Sequence, residues 1–160
     1  MNLIKTVLFT LLVPGAVAGL LPYLLIRSPL RLPVHLGDWR LAGLFIMTTG
    51  AAFYLWTASD FVRVGEGTPA PTDAPRILVK RGLYSTIRNP MYIGILTLLV
   101  GEAIYFESVL LLIYAGLVFA GFHAFVVLYE EPALRRRFGA RYETYRSEVP
   151  RWLPRTRYEE

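Results

Sequence analysis

The sequence predicts an all-α, polytopic membrane protein, with about four transmembrane helices followed by a C-terminal amphipathic helix on the cytoplasmic side. Three observations lead there. Of the 160 residues, 54% are hydrophobic, above the roughly 45–50% of ordinary soluble domains, and mean hydropathy is +0.43. The apolar residues gather into runs approaching the ~20 residues that cross a bilayer. The charged residues gather in two segments, 63–90 and 130–160. The length fits a single membrane domain over residues 1–160 and excludes a multidomain chain.

The first run, residues 3–26, is long enough to span although Lys5, Pro14 and Pro22 interrupt it. Ala16-Val17-Ala18 imitates a signal-peptide cleavage site, but Leu20, Leu21 and Tyr23 to Ile26 carry the run past it. Arg27 to Asp38, with Pro29, Pro33 and Gly37, reads as a loop. The second run, 41–62, holds Gly43, Gly50, Ala51 and Ala52, small residues that let helices approach closely in lipid. Gly65 to Pro71 cannot continue that helix, so 63–90 reads as a polar loop. The third and fourth runs, 91–106 and 109–129, are joined by a tight turn near Glu107 and Ser108.

From Glu130 the charge density rises, and Leu134, Phe138, Tyr142, Tyr145 and Val149 recur at spacings of 4, 4, 3 and 4. This is the apolar stripe of one helix, with Pro132 in its first turn and Glu130 and Glu131 at its positive N-terminal end. Helix and tail together cover 130–160. Four spans place both termini on one side, which also holds fourteen of the 17 Lys and Arg residues. By the positive-inside rule that side is cytoplasmic; Arg27, Arg31 and Arg40 lie opposite.

The formal charge of +5, set among long apolar runs, points to anionic lipid rather than nucleic acid as a partner. The absence of cysteine excludes disulfides, Cys-ligated metals and a cysteine nucleophile. Two histidines, His35 and His123, are too few for a metal site. Glu102 is costly within a span and is a site candidate, unless it reaches water at the far interface. His123 is the weaker candidate, expected to make one helix-to-helix hydrogen bond.

Three polar segments converge on the cytoplasmic end of the spans: Gly65 to Thr68, Lys80 to Gly94 and Glu130 to Pro154. They bring glycine-rich backbone, carboxylates, arginines and tyrosines to the membrane surface, as a charged soluble cofactor and an amphiphilic substrate would require. Each also has a plainer explanation: a Pro-rich loop for the glycines, an anionic-lipid contact for Arg135-Arg136-Arg137, and packing for the aromatic stripe.

Taken in order, the segments resemble one superfamily. The stretch from Arg81 to Gly94, RGLYSTIRNPMYIG, is similar to the G-x-Y-x-x-x-R-H/N-P-x-Y-x-G segment of isoprenylcysteine carboxyl methyltransferases and membrane phospholipid N-methyltransferases. Glu130-Glu131-Pro132-Ala133-Leu134, Phe138-Gly139, Tyr142, Tyr145 and Val149-Pro150-Arg151 resemble the tail of the same superfamily. The resemblance implies an S-adenosylmethionine-dependent methyltransferase acting on a membrane-embedded lipophilic acceptor, with the cofactor held between the loop before the third span and the C-terminal helix. It implies a cofactor pocket lined by Gly82, Tyr84, Arg88, Asn89, Tyr92, Gly94, Glu130, Glu131, Tyr142 and Tyr145. Arg88 and Arg151 are the candidates for the cofactor carboxylate or an anionic head group, and Glu102 is carried beside them as a catalytic candidate. Many members have His where this chain has Asn89; Asn cannot take a proton near neutral pH, which removes a general-base role there.

Two other readings compete. Integral-membrane reductases using NADPH have a similar aromatic tail, although Arg88 to Tyr92 and the Glu130-Glu131 pair argue against them. A non-catalytic scaffold binding anionic lipid would bind neither cofactor. The residues leave open whether the acceptor is a carboxylate or an amine.

Overall fold

The computed structural model describes residues 2–30, 32–64 and 77–154, and every extended element among them is helical. The Gly65 to Pro71 stretch lies outside the described residues. Helix α1 (Asn2–Gly15) runs through a wide π turn (Ala16–Leu20) into α2 (Leu21–Arg27). Proline explains the wide turn. Pro22 has no N–H and its ring would strike the carbonyl four residues back, so the helix loosens and Leu21 N–H bonds Ala16 O, five residues back. The same device recurs after α5 (Val109–Phe125): a second wide turn, Val126–Glu130, precedes Pro132, and Glu131 N–H bonds Val126 O.

Helices α3 (Leu41–Val64) and α4 (Pro90–Tyr105) complete the bundle. Three helical stretches, Val7–Arg27, Gly37–Asp60 and Val109–Phe138, are long and apolar enough to cross a membrane. Their outward faces are apolar: Leu12, Phe45 and Leu117 are 71%, 74% and 67% exposed, a surface suited to lipid. With 16 residues, α4 rises roughly 24 Å, shorter than a ~30 Å hydrocarbon core. It is sheltered between α3 and α5, with Met91, Ile95 and Leu99 buried against Tyr54, Ala58 and Ala115.

The α3–α4 contact is a glycine seam. Gly43 and Gly50 on α3 meet Gly101 and Gly94 on α4; a Cβ at Gly50 would lie 2.5 Å from Leu98 N, and one at Gly94 would lie 2.8 Å from Tyr54 N. Both repeats have a spacing of seven, so each pair stays on one helical face. The small residues noted on the second run thus do admit a neighbouring helix. Gly94, expected in a cofactor pocket, sits in this crossing instead.

At the far end, Glu107 adopts φ +52° in the tight turn before α5. Its carbonyl accepts from Val34 N–H at 2.9 Å and its carboxylate from Leu36 N–H at 2.7 Å, tying the 33–36 segment to the turn between α4 and α5.

The charged C-terminal segment departs from expectation. It forms two helices, α6 (Glu131–Phe138) and α7 (Ala140–Glu148), broken at Gly139, whose φ of +52° and ψ of −129° favour glycine over any other residue. Nor does a free helix start lie at Glu130-Glu131: α5 runs straight through them into α6, so the dipole rationale for that pair falls away. The aromatic stripe does bury across the break. Tyr142, Tyr145 and Val149 form one cluster with Leu78, Leu134 and Phe138 against it.

Candidate functional site

Asn89-Pro90 starts α4, because the residue before proline is pushed out of the helical region while proline suits the first turn. That start presents Arg88, Asn89 and Tyr92 to the tail. Arg88 Nη1 donates to Glu131 Oε1 at 3.0 Å and to the Tyr142 hydroxyl at 3.1 Å. Arg151 grips the same carboxylate in a fork, Nε to Oε1 at 2.6 Å and Nη2 to Oε2 at 3.1 Å. Burial alone would raise the Glu131 carboxyl, but the Arg151 hydrogen bond and the charges of Arg88, Arg151 and Arg135 outweigh it and hold it below its ordinary value.

The tail backbone is held as well. Arg88 N–H donates to Pro150 O at 2.9 Å, and Asn89 Nδ2 donates to Arg151 O at 3.1 Å. The Tyr145 hydroxyl donates to Tyr84 O at 2.6 Å. Arg88, Asn89, Glu131, Tyr142, Tyr145 and Arg151 therefore form a clamp between the 81–90 segment and the C-terminal tail, with the Glu131 carboxylate spent on two arginines.

Glu130 is treated differently by the fold. It is half-buried and accepts from the Tyr92 hydroxyl at 3.0 Å, with no cation paired to it among the described residues. The wide turn that Pro132 imposes sets Glu130 toward Tyr92 and Glu131 toward the clamp; such turns recur at functional sites. Burial pushes the Glu130 carboxyl up, the Tyr92 hydrogen bond pulling against it and the Glu131 charge adding to it.

Tyr92 also lines an apolar cavity of about 270 Å³ enclosed by Phe9, Val13, Val17, Tyr54, Ile95, Phe122 and Phe125 among others, near the lower end of the ~300–1,000 Å³ usual for ligand pockets. Its ring thus belongs to a greasy chamber between α1, α3, α4 and α5, and its hydroxyl to the carboxylate at that chamber's polar end.

Two further positions carry unmet hydrogen bonding. Asp60 Oδ2 and Arg88 Nε are buried without a partner among the described residues. Gly82, with φ +57°, brings the 81–85 turn so close to Asp60 that a Cβ there would stand 2.7 Å from Oδ2. Burial pushes the hydroxyl of Tyr84, in the same turn, well above its ordinary value, and the neighbouring acids Glu130 and Asp60 add to the shift. Asp60 was not singled out as a site residue; its signal is the Trp56/Asp60 pair one turn apart at the end of α3.

Trp152 was also missed. Its Nε1 donates to His123 Nδ1 at 3.1 Å, and its ring lies 5.4 Å from Phe119 and 6.4 Å from Tyr92. The one hydrogen bond expected of His123 is present, but its partner is the tail rather than a neighbouring span. Glu102 lies apart from the cluster, ten residues and roughly 15 Å further along α4 than Tyr92. It is buried rather than open to the interface, and its Oε2 has no partner among the described residues.

The model of the phospholipid methyltransferase family matches residues 39–141, well over half of the chain, from the turn before α3 into the start of α7. The chain belongs to that family. A comparison with curated proteins gives no match. The family makes this an integral-membrane methyltransferase of lipid substrates, in agreement with its apolar helices. The matched stretch contains Asp60, Arg88, Tyr92, Glu130 and Glu131, while Tyr142, Tyr145 and Arg151 follow it.

Proposed function

We propose that the protein transfers a methyl group from S-adenosylmethionine to a lipophilic acceptor in the cytoplasmic leaflet, with α4 as a fourth, short span and both termini cytoplasmic. The observation that carries the reading is Tyr92. One side chain joins an apolar chamber to Glu130, a carboxylate with no cation paired to it among the described residues.

The residues present fit the cofactor. Its amino acid end carries an ammonium and a carboxylate, and this end of the bundle offers an acceptor, Asp60 Oδ2, and a donor, Arg88 Nε, that are buried without a partner among the described residues. When bound, S-adenosylmethionine supplies an electrophilic methyl group, whose bond to sulfur breaks with the electron pair left on sulfur. Glu130 would face the positive charge of the sulfonium, and Asp60 with Arg88 would hold the amino acid end. The aromatic chamber would hold the acceptor's apolar chain and exclude water, so that catalysis rests on alignment. A carboxylate or a neutral amine attacks without a general base, consistent with Asn89 in place of His. The cationless Glu130 favours an amine acceptor over a carboxylate, whose charge it would repel.

Calorimetric titration of the detergent-purified protein with S-adenosylhomocysteine, with NADPH in parallel, tests the cofactor before any acceptor is known. Saturable binding of the homocysteine product alone is the expected result. Binding of NADPH alone would move the protein to the reductases, and silence from both, with the protein shown to be folded, would leave the scaffold.

A further inference from the structure

Between the 77–80 segment and the C-terminal helices a second concavity, of about 590 Å³, is lined by Ile77, Leu78, Lys80, Arg137, Phe138, Arg141 and Thr144. It shares no residue with the clamp or with the apolar chamber. Its three cations come from three elements: Lys80 from the segment entering the 81–85 turn, Arg137 from the end of α6, and Arg141 from the start of α7. Gly139, with its positive φ, makes the bend between the helices that carry Arg137 and Arg141.

The acids nearby do not serve these cations. Glu143 is taken by Arg135 at 2.9 Å and Arg146 at 3.4 Å. Among the described residues Lys80, Arg137 and Arg141 have no acidic partner. Two of them are steadied by aromatic rings instead: Lys80 Nζ lies 5.4 Å from the centre of Tyr145 and the Arg137 guanidinium 5.9 Å from that of Phe138. The Arg135-Arg136-Arg137 run is therefore not one undivided basic patch, because Arg135 is paired across to α7 while Arg137 faces the groove. Three cations gathered without a counter-charge repel one another, and an anion is what relieves them. A tetrahedral oxyanion offers enough acceptors for two guanidinium forks and an ammonium together, while Ile77, Leu78 and Phe138 give apolar surface beside it.

We propose that this groove is a phosphate-binding site, separate from the methyl-transfer site, which takes the phosphate of an anionic lipid head group or of a soluble phosphate compound. The test is calorimetry on the full-length protein in a neutral detergent, titrated separately with inorganic phosphate and with short-chain phosphatidylglycerol, at matched ionic strength in sodium chloride. Saturable binding is expected. Arg141→Gln and Lys80→Gln should each weaken it about tenfold, the loss of one charge-assisted contact, while Arg146→Gln leaves it within about twofold. Saturation by inorganic phosphate names a soluble source; saturation by the lipid alone names the head group. Three results would overturn the proposal: neither probe saturates; Arg146→Gln costs as much as Arg141→Gln, the mark of diffuse attraction; or the groove variants also lose S-adenosylhomocysteine, which would merge the two sites. The groove side chains lie on the surface, so unchanged size-exclusion profiles are expected for all three variants.

Discussion

One half of the bundle is closed and the other open. On the closed half, α3 and α4 meet backbone to backbone through four glycines, and the clamp at the Asn89 end of α4 satisfies both oxygens of Glu131. On the open half, α1, α3, α4 and α5 leave an apolar chamber between them, α1 and α5 each run into a wide turn ahead of a proline, and Glu130 has no paired cation among the described residues. The contrast teaches a division of labour. Close backbone contact and paired charge hold the fold, while incomplete packing and unpaired charge leave something for ligands to complete. Substitutions in the glycine seam and at Glu131 should therefore act on stability, and those at Glu130 on binding.

The largest effect is expected at the seam. In Gly50→Leu the new side chain meets the Leu98 backbone, which cannot rotate aside, so the helices must part. A loss of roughly 4–5 kcal/mol or more should appear as little monodisperse protein on size exclusion. A well-folded Gly50→Leu protein would show that the seam is not what holds the two helices together.

Glu131→Gln comes next. It leaves Arg88, only 10% exposed at its side chain, without a counter-charge, at a cost of about 3 kcal/mol. The pH dependence has a definite sign. The folded carboxyl lies below its ordinary 4.5, so its stabilisation is complete above about that pH and is lost as pH falls through the folded value. Apparent Tm of the parent should fall on acidification below pH 4.5, and that part of the fall should be missing in Glu131→Gln. Equal acid sensitivity in the two would mean that the clamp does not secure the tail.

Much of this was legible in the residues. The apolar runs and small residues marked the spans, and the two motif blocks marked the elements that meet at the clamp. What periodicity could not convey was division within a motif. Glu130 and Glu131 are adjacent and alike in type, and only the wide turn before Pro132 sends one to Tyr92 and the other to the arginines. Gly94 belongs to the same block as Tyr92 yet serves the seam, because two residues separate them by about 200° around a helix. The stripe from Leu134 to Val149 has helical spacing throughout, and the break at Gly139 depends on a backbone angle that spacing does not register.

Glu130→Gln should test the open half in isolation. It keeps the shape and a partner for Tyr92 but removes the charge, so apparent Tm should move by no more than ~2 °C while affinity for S-adenosylmethionine falls about 10- to 100-fold, or roughly 1.4–2.8 kcal/mol. Because burial holds the parent carboxyl above its ordinary value, affinity should also rise with pH as Glu130 ionises, and Glu130→Gln should lose that rise. An affinity change matched by a large fall in Tm would place Glu130 in the closed half.

The smallest effect belongs to Trp152, where the halves meet: the clamp holds its neighbour Arg151, while its ring reaches Phe119 and His123 on α5. Trp152→Phe keeps most of the ring contact and loses one hydrogen bond to His123, a change of about 1 kcal/mol. If the tail only braces α5, Tm should drop slightly and cofactor affinity should stay. If the ring instead governs entry to the chamber beside Tyr92, the rate of turnover on a long-chain acceptor should change while Tm does not. The division between halves predicts the first result, because the hydrogen bonds of residues 150–152 tie the tail to Arg88, Asn89, Glu131 and His123.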